Sequence, residues 1–472
     1  MVFEIVGARI LAPYIGTSFL VWTSIIGFVL ASLSLGYYLG GRWIDQKTSI
    51  TTAGFAFLGA ALALLWVIII KDDFLNWILA HVKGLKASSI FAGLVLFTPA
   101  GLFLGMISPM MSRLLLSNIP EAGKTMGSIF AWGSIGSLFG TFLAGFYLLP
   151  HFYLTHILLS LQLITALIAI TIFALHKKWI FLILSLLSIF LAFFFDSGKT
   201  DDYTYEYESE YNSIKVYPTT DYQSGDSILM MQLGKQRAGG MSLTDRPLPF
   251  NYLYYFRLAE HFNTNIKKTL MLGGAAYSFP QYFINKYPDA QMDVVEIDPE
   301  VTRVAKEYFG LRDHQNLHIY HQDARTYINS CQEKYDVIYS DTFRNAISLP
   351  YQLTTVEAVQ KQYDLLNDGG QVLVNVIQAV EGKSSLFLQA ELKTFMAVFP
   401  QVYLFADRGA DKRNEIQSTI IVAIKSEELP LFSSSDLGID SLLAKRVKNI
   451  QLSQPILTDD FAPVDYLAFR GL

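Results

Sequence analysis

The sequence predicts two unlike parts in one chain: a multi-pass α-helical membrane domain, followed by an α/β domain built around a Rossmann-like sheet. Two observations predict this order. Six apolar windows without Asp, Glu, Lys or Arg precede residue 196, and the chain beyond it is polar and alternates β-rich with helical segments. The 472 residues are 52% hydrophobic and 16% charged, an average that hides the contrast between the two parts.

Most of the apolar windows are long enough to cross a bilayer, which takes about 20 apolar residues in a helix. The windows cover residues 17–41, 51–70, 87–112, 125–150, 152–175 and 179–195. We therefore expect a transmembrane domain over residues 1–196 with six spans. The first residues carry Glu4 and Arg9 among apolar neighbours, so we interpret them as half a span, an interfacial helix or a shortened first span.

The window at 125–150 carries two ladders of small residues spaced four apart. They are Gly136, Gly140 and Ala144 and, one face over, Gly133, Ser137 and Thr141. Small residues let helices approach closely in lipid, where association depends on packing. We predict close helix packing at these ladders, with a pathway or pocket as the alternative.

The loop charges leave the side of the soluble domain open. One face has Arg42, Lys47, Arg113, Lys124, Lys177 and Lys178, and the other has Arg9, Lys71, Lys83 and Lys86. The positive-inside rule makes the first face cytoplasmic, which would carry the soluble domain outside, away from a cofactor made in the cytoplasm. We predict a cell-membrane location and assign no side.

Composition argues against several kinds of site. Cys331 is the single cysteine, so the chain has no internal disulfide framework and lacks the residues for a cysteine-rich metal site. A net charge of −5 gives no nucleic-acid footprint. The N-terminal residues do not have the pattern of a cleaved signal peptide. We expect neither a metal nor a nucleic acid as a ligand.

From residue 269 onward the pattern predicts a doubly wound parallel sheet. Short β-rich runs such as TLMLG, QMDVVEI and YDVIYS alternate with helical runs such as PEVTRVAKEYF. This alternation is typical of such sheets, whose ligands bind beyond the carboxyl ends of the strands. The residues that follow the strands are therefore the candidate site.

Four strand ends carry matching chemistry. Gly273 and Gly274 follow the first strand, and their missing side chains let a cofactor lie against the backbone. Glu296 ends the second strand and is well placed to accept hydrogen bonds from both ribose hydroxyls. Asp323 follows the third strand and can bind the amino group of a base edge. Asp341 follows the fourth and is expected to point into the space above the sheet.

Each of these residues also has a structural interpretation. Paired glycines form tight turns, a glutamate at a strand end can be a surface charge or a helix cap, and Asp323 can cap the helix ARTYINS. A nicotinamide cofactor is the rival ligand, but its loop requires a further glycine where Tyr277 and Ser278 stand. The order of the four strand ends on one sheet favours a nucleoside site.

The motifs VVEIDPEVTRVAKEYFGL, QDARTYI, YDVIYSDTF and LTDDFAPVD resemble the spermidine synthase-like aminopropyltransferase branch of the class I methyltransferase fold. Their fusion to the apolar windows, with EIVGARILAPYIG and LGMISPM, resembles the membrane-bound spermidine synthase-like proteins of prokaryotes. The resemblance implies a small β-rich subdomain over residues 203–260, ahead of a Rossmann-like domain over residues 261–472.

The resemblance also implies a chemistry. In that family a substrate amine attacks the propyl carbon of decarboxylated S-adenosylmethionine, and a nearby carboxylate helps to provide a neutral, oriented amine. By position, Asp341 matches the catalytic aspartate. Glu296 matches the ribose contact, Asp323 and Ala324 match the adenine contacts, and Gln236 resembles the glutamine that lines the cofactor cleft.

The chain departs from the family pattern on the acceptor side. Soluble polyamine synthases have a third glycine and an acid where Ala275 and Ala276 stand, and a second acid and a proline where residues 342–344 read Thr-Phe-Arg. Two carboxylates that would hold a polyamine are thus absent. Arg344 and Tyr277 are the candidate substrate-binding residues.

We therefore predict a membrane-anchored transferase that binds S-adenosylmethionine or its decarboxylated form. Its acceptor is predicted to be a non-polyamine, either a small molecule or a membrane-associated group. Two alternatives stay open: a non-catalytic ligand sensor coupled to a small transporter, and a cofactor-independent enzyme that uses Asp341 as a base. A homodimer is one oligomeric state that the sequence leaves open.

Overall fold

The computed structural model describes residues 1–16, 18–82, 84–116, 122–197, 203–221, 224–343, 349–409 and 411–470. The chain divides into two compact units, Met1–Asp202 and Tyr203–Leu472. The first unit is helical, and the second contains a small sheet and a large sheet.

The first unit is built from long apolar helices. They are α1 (Val2–Ile15), α2 (Phe19–Gln46), α3 (Ile50–His81), α4 (Leu85–Leu115), α5 (Gly123–His151), α6 (Leu154–Leu175) and α7 (Trp179–Ser197). Among the described residues, the five helices from α2 to α6 are long and apolar enough to cross a membrane by length and composition. The apolar part of α7 is shorter. The helical first domain of the predicted fold is confirmed.

Glycines bring α2 and α4 into close contact. A Cβ atom on Gly36 would lie 2.3 Å from the carbonyl oxygen of Leu102, and one on Gly105 would lie 2.7 Å from a backbone oxygen of α2. A Cβ atom on Gly133 or Gly136 of α5 would meet nothing within 4 Å among the described residues, whereas one on Gly140 would lie 3.3 Å from the side chain of Val2 in α1, and Ala144 is buried. The predicted packing is thus seen at the end of one ladder, and a closer approach lies between α2 and α4, where Gly36 and Gly105 face each other.

The second unit begins with a four-stranded antiparallel sheet. Its strands are β1 (Tyr205–Glu208), β2 (Ser213–Thr220), β3 (Ser227–Leu233) and β4 (Gln236–Ser242), in that spatial order. Ile214 and Val216 are buried, while the intervening Lys215 is only partly buried, so one face of β2 packs on the interior. A Cβ atom on Gly239 would lie 2.7 Å from the backbone nitrogen of Ala276, so β4 lies directly on a loop of the large sheet.

The large sheet has eight strands in the described residues, in the order β12-β10-β11-β9-β8-β5-β6-β7. They are β5 (Lys268–Leu272), β6 (Gln291–Val295), β7 (Leu317–Tyr320), β8 (Tyr335–Ser340), β9 (Leu366–Gln378), β10 (Gln401–Ala406), β11 (Gln417–Ile424) and β12 (Arg446–Val447). Strands β5 to β9 are parallel, whereas β11 runs antiparallel to both β9 and β10. The sheet is therefore mixed rather than wholly parallel, because the short connection after β10 joins antiparallel neighbours.

Helices cover both faces of the large sheet. They are α8 (Asn251–Tyr254), α9 (Leu258–Phe262), α10 (Ser278–Lys286), α11 (Pro299–Tyr308), α12 (Ala324–Ser330), α13 (Val356–Asp364), α14 (Leu386–Met396), α15 (Leu437–Leu443) and α16 (Val464–Phe469). Leu270 and Leu272 of β5 are buried in one apolar layer and Met271 in the other. A sheet buried on both faces holds its strand ends firmly, and the carboxyl ends of β5 to β9 lie at one edge.

Candidate functional site

Two glycines shape the loop after β5. Gly273 has a φ of 93°, a conformation that favours glycine, and a Cβ atom there would lie 2.6 Å from the carbonyl oxygen of Asp341. A Cβ atom on Gly274 would lie 2.6 Å from the ring of Tyr277. Because both residues lack side chains, Gly273 can pass close to the end of β8 and the Tyr277 ring can pack against Gly274.

Glu296, which follows β6, accepts hydrogen bonds from the backbone of this loop. Its Oε2 accepts hydrogen bonds from the backbone nitrogens of Gly274 at 2.9 Å and Ala275 at 3.2 Å, and its Oε1 accepts one from Asp298 at 3.1 Å. A carboxylate has about four acceptor positions. These bonds leave room for about one ribose hydroxyl, fewer than the sequence predicted.

Burial governs the charge of Glu296, which is 8% exposed. Loss of solvation raises the pKa of its carboxyl, while the hydrogen bonds from Asp298, Gly274 and Ala275 oppose that rise. The backbone donors therefore stabilise the ionised form that a ribose contact would need.

Ala275 and Tyr277 adopt left-handed backbone conformations, with φ values of 44° and 54°. Such a conformation costs a non-glycine residue about 1–2 kcal/mol. The turn places the Tyr277 ring beneath Gly274, where it is 0% exposed and its hydroxyl lies 2.7 Å from Thr302 Oγ1. The structure thus contradicts the predicted substrate contact of Tyr277, since the whole side chain packs inside the unit.

Asp341 directly follows β8 and is held by two side chains. The hydroxyl of Tyr252 in α8 donates to Oδ2 at 2.9 Å, and Nδ2 of Asn375 in β9 donates to Oδ1 at 3.0 Å. Burial raises the pKa of the Asp341 carboxyl, and the hydrogen bonds from Asn375 and Tyr252 lower it. The pKa of Tyr252 is also raised well above its usual value, by burial and by the charge of Asp341.

Two buried oxygens beside Asp341 have no hydrogen-bond partner among the described residues: Oδ1 of Asn375 and Oγ1 of Thr342. The side chain of Thr342 reaches the glycine loop, since a Cβ atom on Gly273 would lie 3.2 Å from its Cγ2. A buried polar atom without a partner costs about 1–3 kcal/mol. The space at the end of β8 is therefore suited to a ligand group that donates hydrogen bonds.

The remaining predicted residues lie around this centre. Asp323 caps α12, with Oδ1 accepting from the backbone nitrogen of Thr326 at 3.0 Å, and Ala324 begins that helix. Gln236 begins β4 and pairs with Leu233 across the hairpin. Arg344 lies outside the described residues. The structure thus brings Gly273, Gly274, Glu296 and Asp341 together, whereas Asp323 takes the capping role that the sequence left open.

Tyr252 and Asn375 were missed by reasoning from the sequence. Asn375 had a signal, because it is a polar residue within the buried run QVLVNVI of β9. Tyr252 had none, because it is one of several aromatic residues in FNYLYYF and reaches Asp341 across 89 positions.

Comparison with known proteins gives a consistent assignment for the second unit. Residues 256–406 match the family described as "Spermine/spermidine synthase domain". The chain is 28% identical over 204 residues to the polyamine aminopropyltransferase of Vibrio vulnificus, covering 43% of this chain and 66% of that protein. It is 25% identical over 288 residues to a probable polyamine aminopropyl transferase of Bifidobacterium longum, covering 57% and 63%.

The chain thus spans just under two thirds of the length of both relatives. Among solved structures, a probable spermidine synthase from Corynebacterium glutamicum aligns with a TM-score of 0.43 and 25% identity. That alignment covers 50% of this chain and 85% of the other.

Proposed function

We propose that the chain is a transferase that binds an S-adenosylmethionine-type nucleoside and acts on an acceptor other than a polyamine. Its membership of the spermidine synthase-like family supports a transferase. The observation that carries this proposal is the position of Asp341. Its backbone carbonyl lies beside Gly273 of the glycine loop, and its carboxylate is oriented by Tyr252 and Asn375.

The ends of β5 and β6 fit a nucleoside. Gly273 and Gly274 let the loop turn tightly against the end of β8 and the Tyr277 ring, and Glu296 presents a carboxylate whose ionised form the loop stabilises. When bound, the nucleoside would supply an electrophilic carbon next to its sulfonium. Glu296 would accept a ribose hydroxyl and so fix the nucleoside along the strand ends.

Asp341 would act as the proton acceptor for the attacking amine. An amine is nucleophilic only when neutral, so transfer from a protonated amine requires a base within hydrogen-bond distance. The raised pKa of Asp341 brings this carboxyl closer to the working pH. Asp341 would take the proton from the acceptor nitrogen and so free its lone pair for attack, and the nucleoside would supply the electrophilic carbon and leave as a neutral thioether that keeps the electron pair of the sulfur–carbon bond. The unpartnered oxygens of Asn375 and Thr342 would accept further N–H bonds.

The acceptor is proposed to be neutral or anionic apart from its reacting amine. A polyamine carries several positive charges, and one carboxylate compensates only one of them. Ala276, at the position of an acid in polyamine synthases, is buried against β4 and offers no charge. Arg344 is expected from the sequence to add a positive charge near Asp341.

The first test is ligand binding. The purified full-length chain is titrated calorimetrically with S-adenosylmethionine, its decarboxylated form and methylthioadenosine. We expect binding of at least one of them. Failure of all three would favour the cofactor-independent alternative or a sensor of another ligand.

The second test is the choice of acceptor. The chain is incubated with decarboxylated S-adenosylmethionine and either putrescine, spermidine or a neutral monoamine, with the Vibrio vulnificus relative as a positive control. We expect no spermidine or spermine from this chain. Polyamine formation at a rate comparable to the control would overturn the proposed change of substrate.

We also propose that the helices α2 to α6 anchor the chain in the cell membrane. Their length and hydropathy support this location. Carbonate extraction of cell membranes should leave the chain in the pellet. A cysteine introduced near Ser197 in a Cys331→Ser background, labelled from outside intact cells with an impermeant reagent, then decides the side. Release of the chain by carbonate would contradict the anchor.

A further inference from the structure

The turn between β1 and β2 has a fixed shape. It covers residues 209–212, and Ser209 Oγ accepts hydrogen bonds from the backbone nitrogens of Tyr211 at 3.1 Å and Asn212 at 2.9 Å. The backbone of Ser209 also donates to the carbonyl oxygen of Asn212 at 2.8 Å. These bonds close the turn and present the side chain of Tyr211 outward.

This turn is fastened to the nucleoside side of the site. The hydroxyl of Ser209 donates to the carboxylate of Asp298, and the backbone nitrogen of Asp298 donates to Glu296 at 3.1 Å. Asp298 also caps α11 through the backbone nitrogen of Glu300. The backbone of Tyr211 is therefore linked to Glu296 through Ser209 and Asp298 alone.

Tyr211 differs from the other tyrosines of the same segment. Tyr205 and Tyr207 stack on each other at 6.3 Å, and Arg303 of α11 lies over both rings. Tyr203 likewise meets Tyr217 at 5.6 Å. Tyr211 makes no ring contact among the described residues and is 46% exposed. The contacts of the Tyr205 and Tyr207 rings hold β1 on the unit, whereas the Tyr211 ring remains accessible to a ligand.

A second exposed apolar side chain lies at the same strand end. Ile297 stands between the buried acids Glu296 and Asp298 and is 38% exposed. The pKa of the Tyr211 phenol is raised by burial and by the charges of Glu210, Asp298 and Asp323. The bond from Ser209 to Asp298 holds the turn at the end of β6, and the charge of Asp323, which follows β7, also acts on the phenol. An aromatic ring and an aliphatic side chain beside hydrogen-bonding acids are suited to a planar, polar-edged ligand.

We propose that Tyr211 supplies an aromatic face for the base of the nucleoside at the open ends of β6 and β7. This inference rests on the proposed nucleoside binding and adds a binding residue from the small sheet. Because Ser209 holds the turn on Asp298, the ring needs no large movement to meet the base. The base would stack on Tyr211 while Glu296 holds the ribose.

The test compares substitutions of Tyr211 in the full-length chain, with methylthioadenosine as the titrated probe. Stacking of a base on an aromatic side chain is worth roughly 5- to 150-fold in affinity by alanine substitution. We expect Tyr211→Ala to weaken binding within that range and Tyr211→Phe to stay within about twofold of the unchanged chain, because the ring is kept. Tyr211→Leu should fall between them.

Tyr207→Ala is the matched control, because it removes an exposed aromatic ring from the same segment. It should leave the affinity unchanged, and thermal unfolding of each variant checks that the turn is intact. Equal affinity of Tyr211→Ala and the unchanged chain would overturn this inference alone. Equal loss in Tyr211→Phe and Tyr211→Ala would also overturn it, since the hydroxyl rather than the ring would then be responsible. If the unchanged chain binds neither methylthioadenosine nor either form of S-adenosylmethionine, the proposed function is overturned as well.

Discussion

The two carboxylates of the site occupy similar places and are held in different ways. Glu296 and Asp341 follow the strands on either side of β5, and burial raises the pKa of both. Glu296 accepts three backbone N–H groups, whereas Asp341 accepts one phenol and one side-chain amide. A carboxylate that accepts hydrogen bonds only from backbone N–H groups helps to fix the shape of the loop. One held by side chains keeps more open acceptor positions and is better suited to take up a proton.

Substitution of Asp341 should separate the two roles most sharply. Asp341→Asn keeps the shape of the side chain but removes the base. We expect the transfer rate to fall about 100- to 10,000-fold, the usual contribution of a general base, with nucleoside affinity retained. Single-turnover rates and calorimetric titration of the same preparation measure the two quantities. A variant that transfers normally would remove Asp341 from the chemistry and make the two carboxylates alike.

Glu296→Gln should have the opposite signature. An amide nitrogen cannot accept the N–H bonds that one carboxylate oxygen receives, and hydrogen bonds to charged groups are worth about 1.5–3 kcal/mol each. We expect nucleoside affinity to fall at least tenfold and the amides of Gly274 and Ala275 to exchange hydrogen faster.

Asp323→Asn is the control for Glu296→Gln, because it changes an acid that caps α12 and bonds no residue of the glycine loop among the described contacts. Its effect on exchange should be confined to α12. Unchanged exchange of Gly274 and Ala275 in Glu296→Gln would show that the loop does not depend on the carboxylate.

The removal of one donor from Asp341 should appear in the pH dependence. The Tyr252 hydroxyl stabilises the ionised carboxylate, so Tyr252→Phe leaves the pKa of Asp341 further above its usual value. If the carboxylate is the active form, the acidic limb of the rate profile moves to higher pH. At pH values below the midpoint of that limb the rate falls about 2- to 13-fold, as expected for one net hydrogen bond. A lower rate with an unmoved acidic limb would mean that Tyr252 acts by packing alone.

More of the nucleoside side of the site than of the acceptor side could be predicted from the sequence. Strand and helix alternation predicted β5 to β9, and glycines and acids after strands are local features that can be found by position. The alternation predicted a parallel sheet throughout, so the antiparallel β11 was not foreseen. The donors to Asp341 come from α8 and β9, and their convergence depends on tertiary packing.

In the helical first unit, too, the sequence did not identify which segments pack together. The small residues of α5 gave the capacity for close packing but not the partner, and the tight contact lies between Gly36 and Gly105. Burial of the Tyr277 ring likewise depends on a left-handed turn that a non-glycine sequence does not favour.

The smallest expected effect concerns strain in the glycine loop. Ala275 has a φ of 44°, whereas Ala276 has no positive φ and is 1% exposed. Ala275→Gly relieves about 1–2 kcal/mol of backbone strain but adds about 0.4–1 kcal/mol of flexibility to the unfolded chain. We expect thermal stability to stay equal or rise slightly. Ala276→Gly adds the same flexibility without relief and removes a buried methyl, so it should lower the stability by more than 1 kcal/mol, as about 0.8 kcal/mol is lost per buried carbon.

Nucleoside affinity provides a second measurement on Ala275→Gly. The bonds from residues 274 and 275 to Glu296 need only backbone nitrogens, so Ala275→Gly can keep both of them. We therefore expect its affinity to remain within about threefold of the unchanged chain, a difference below 1 kcal/mol. Calorimetric titration with methylthioadenosine measures it. A clear loss of stability in Ala275→Gly, equal to that of Ala276→Gly, would mean that Ala275 is unstrained and that its methyl group supports the loop. In that case the side chains of the nucleoside side, and not its backbone alone, would set its shape.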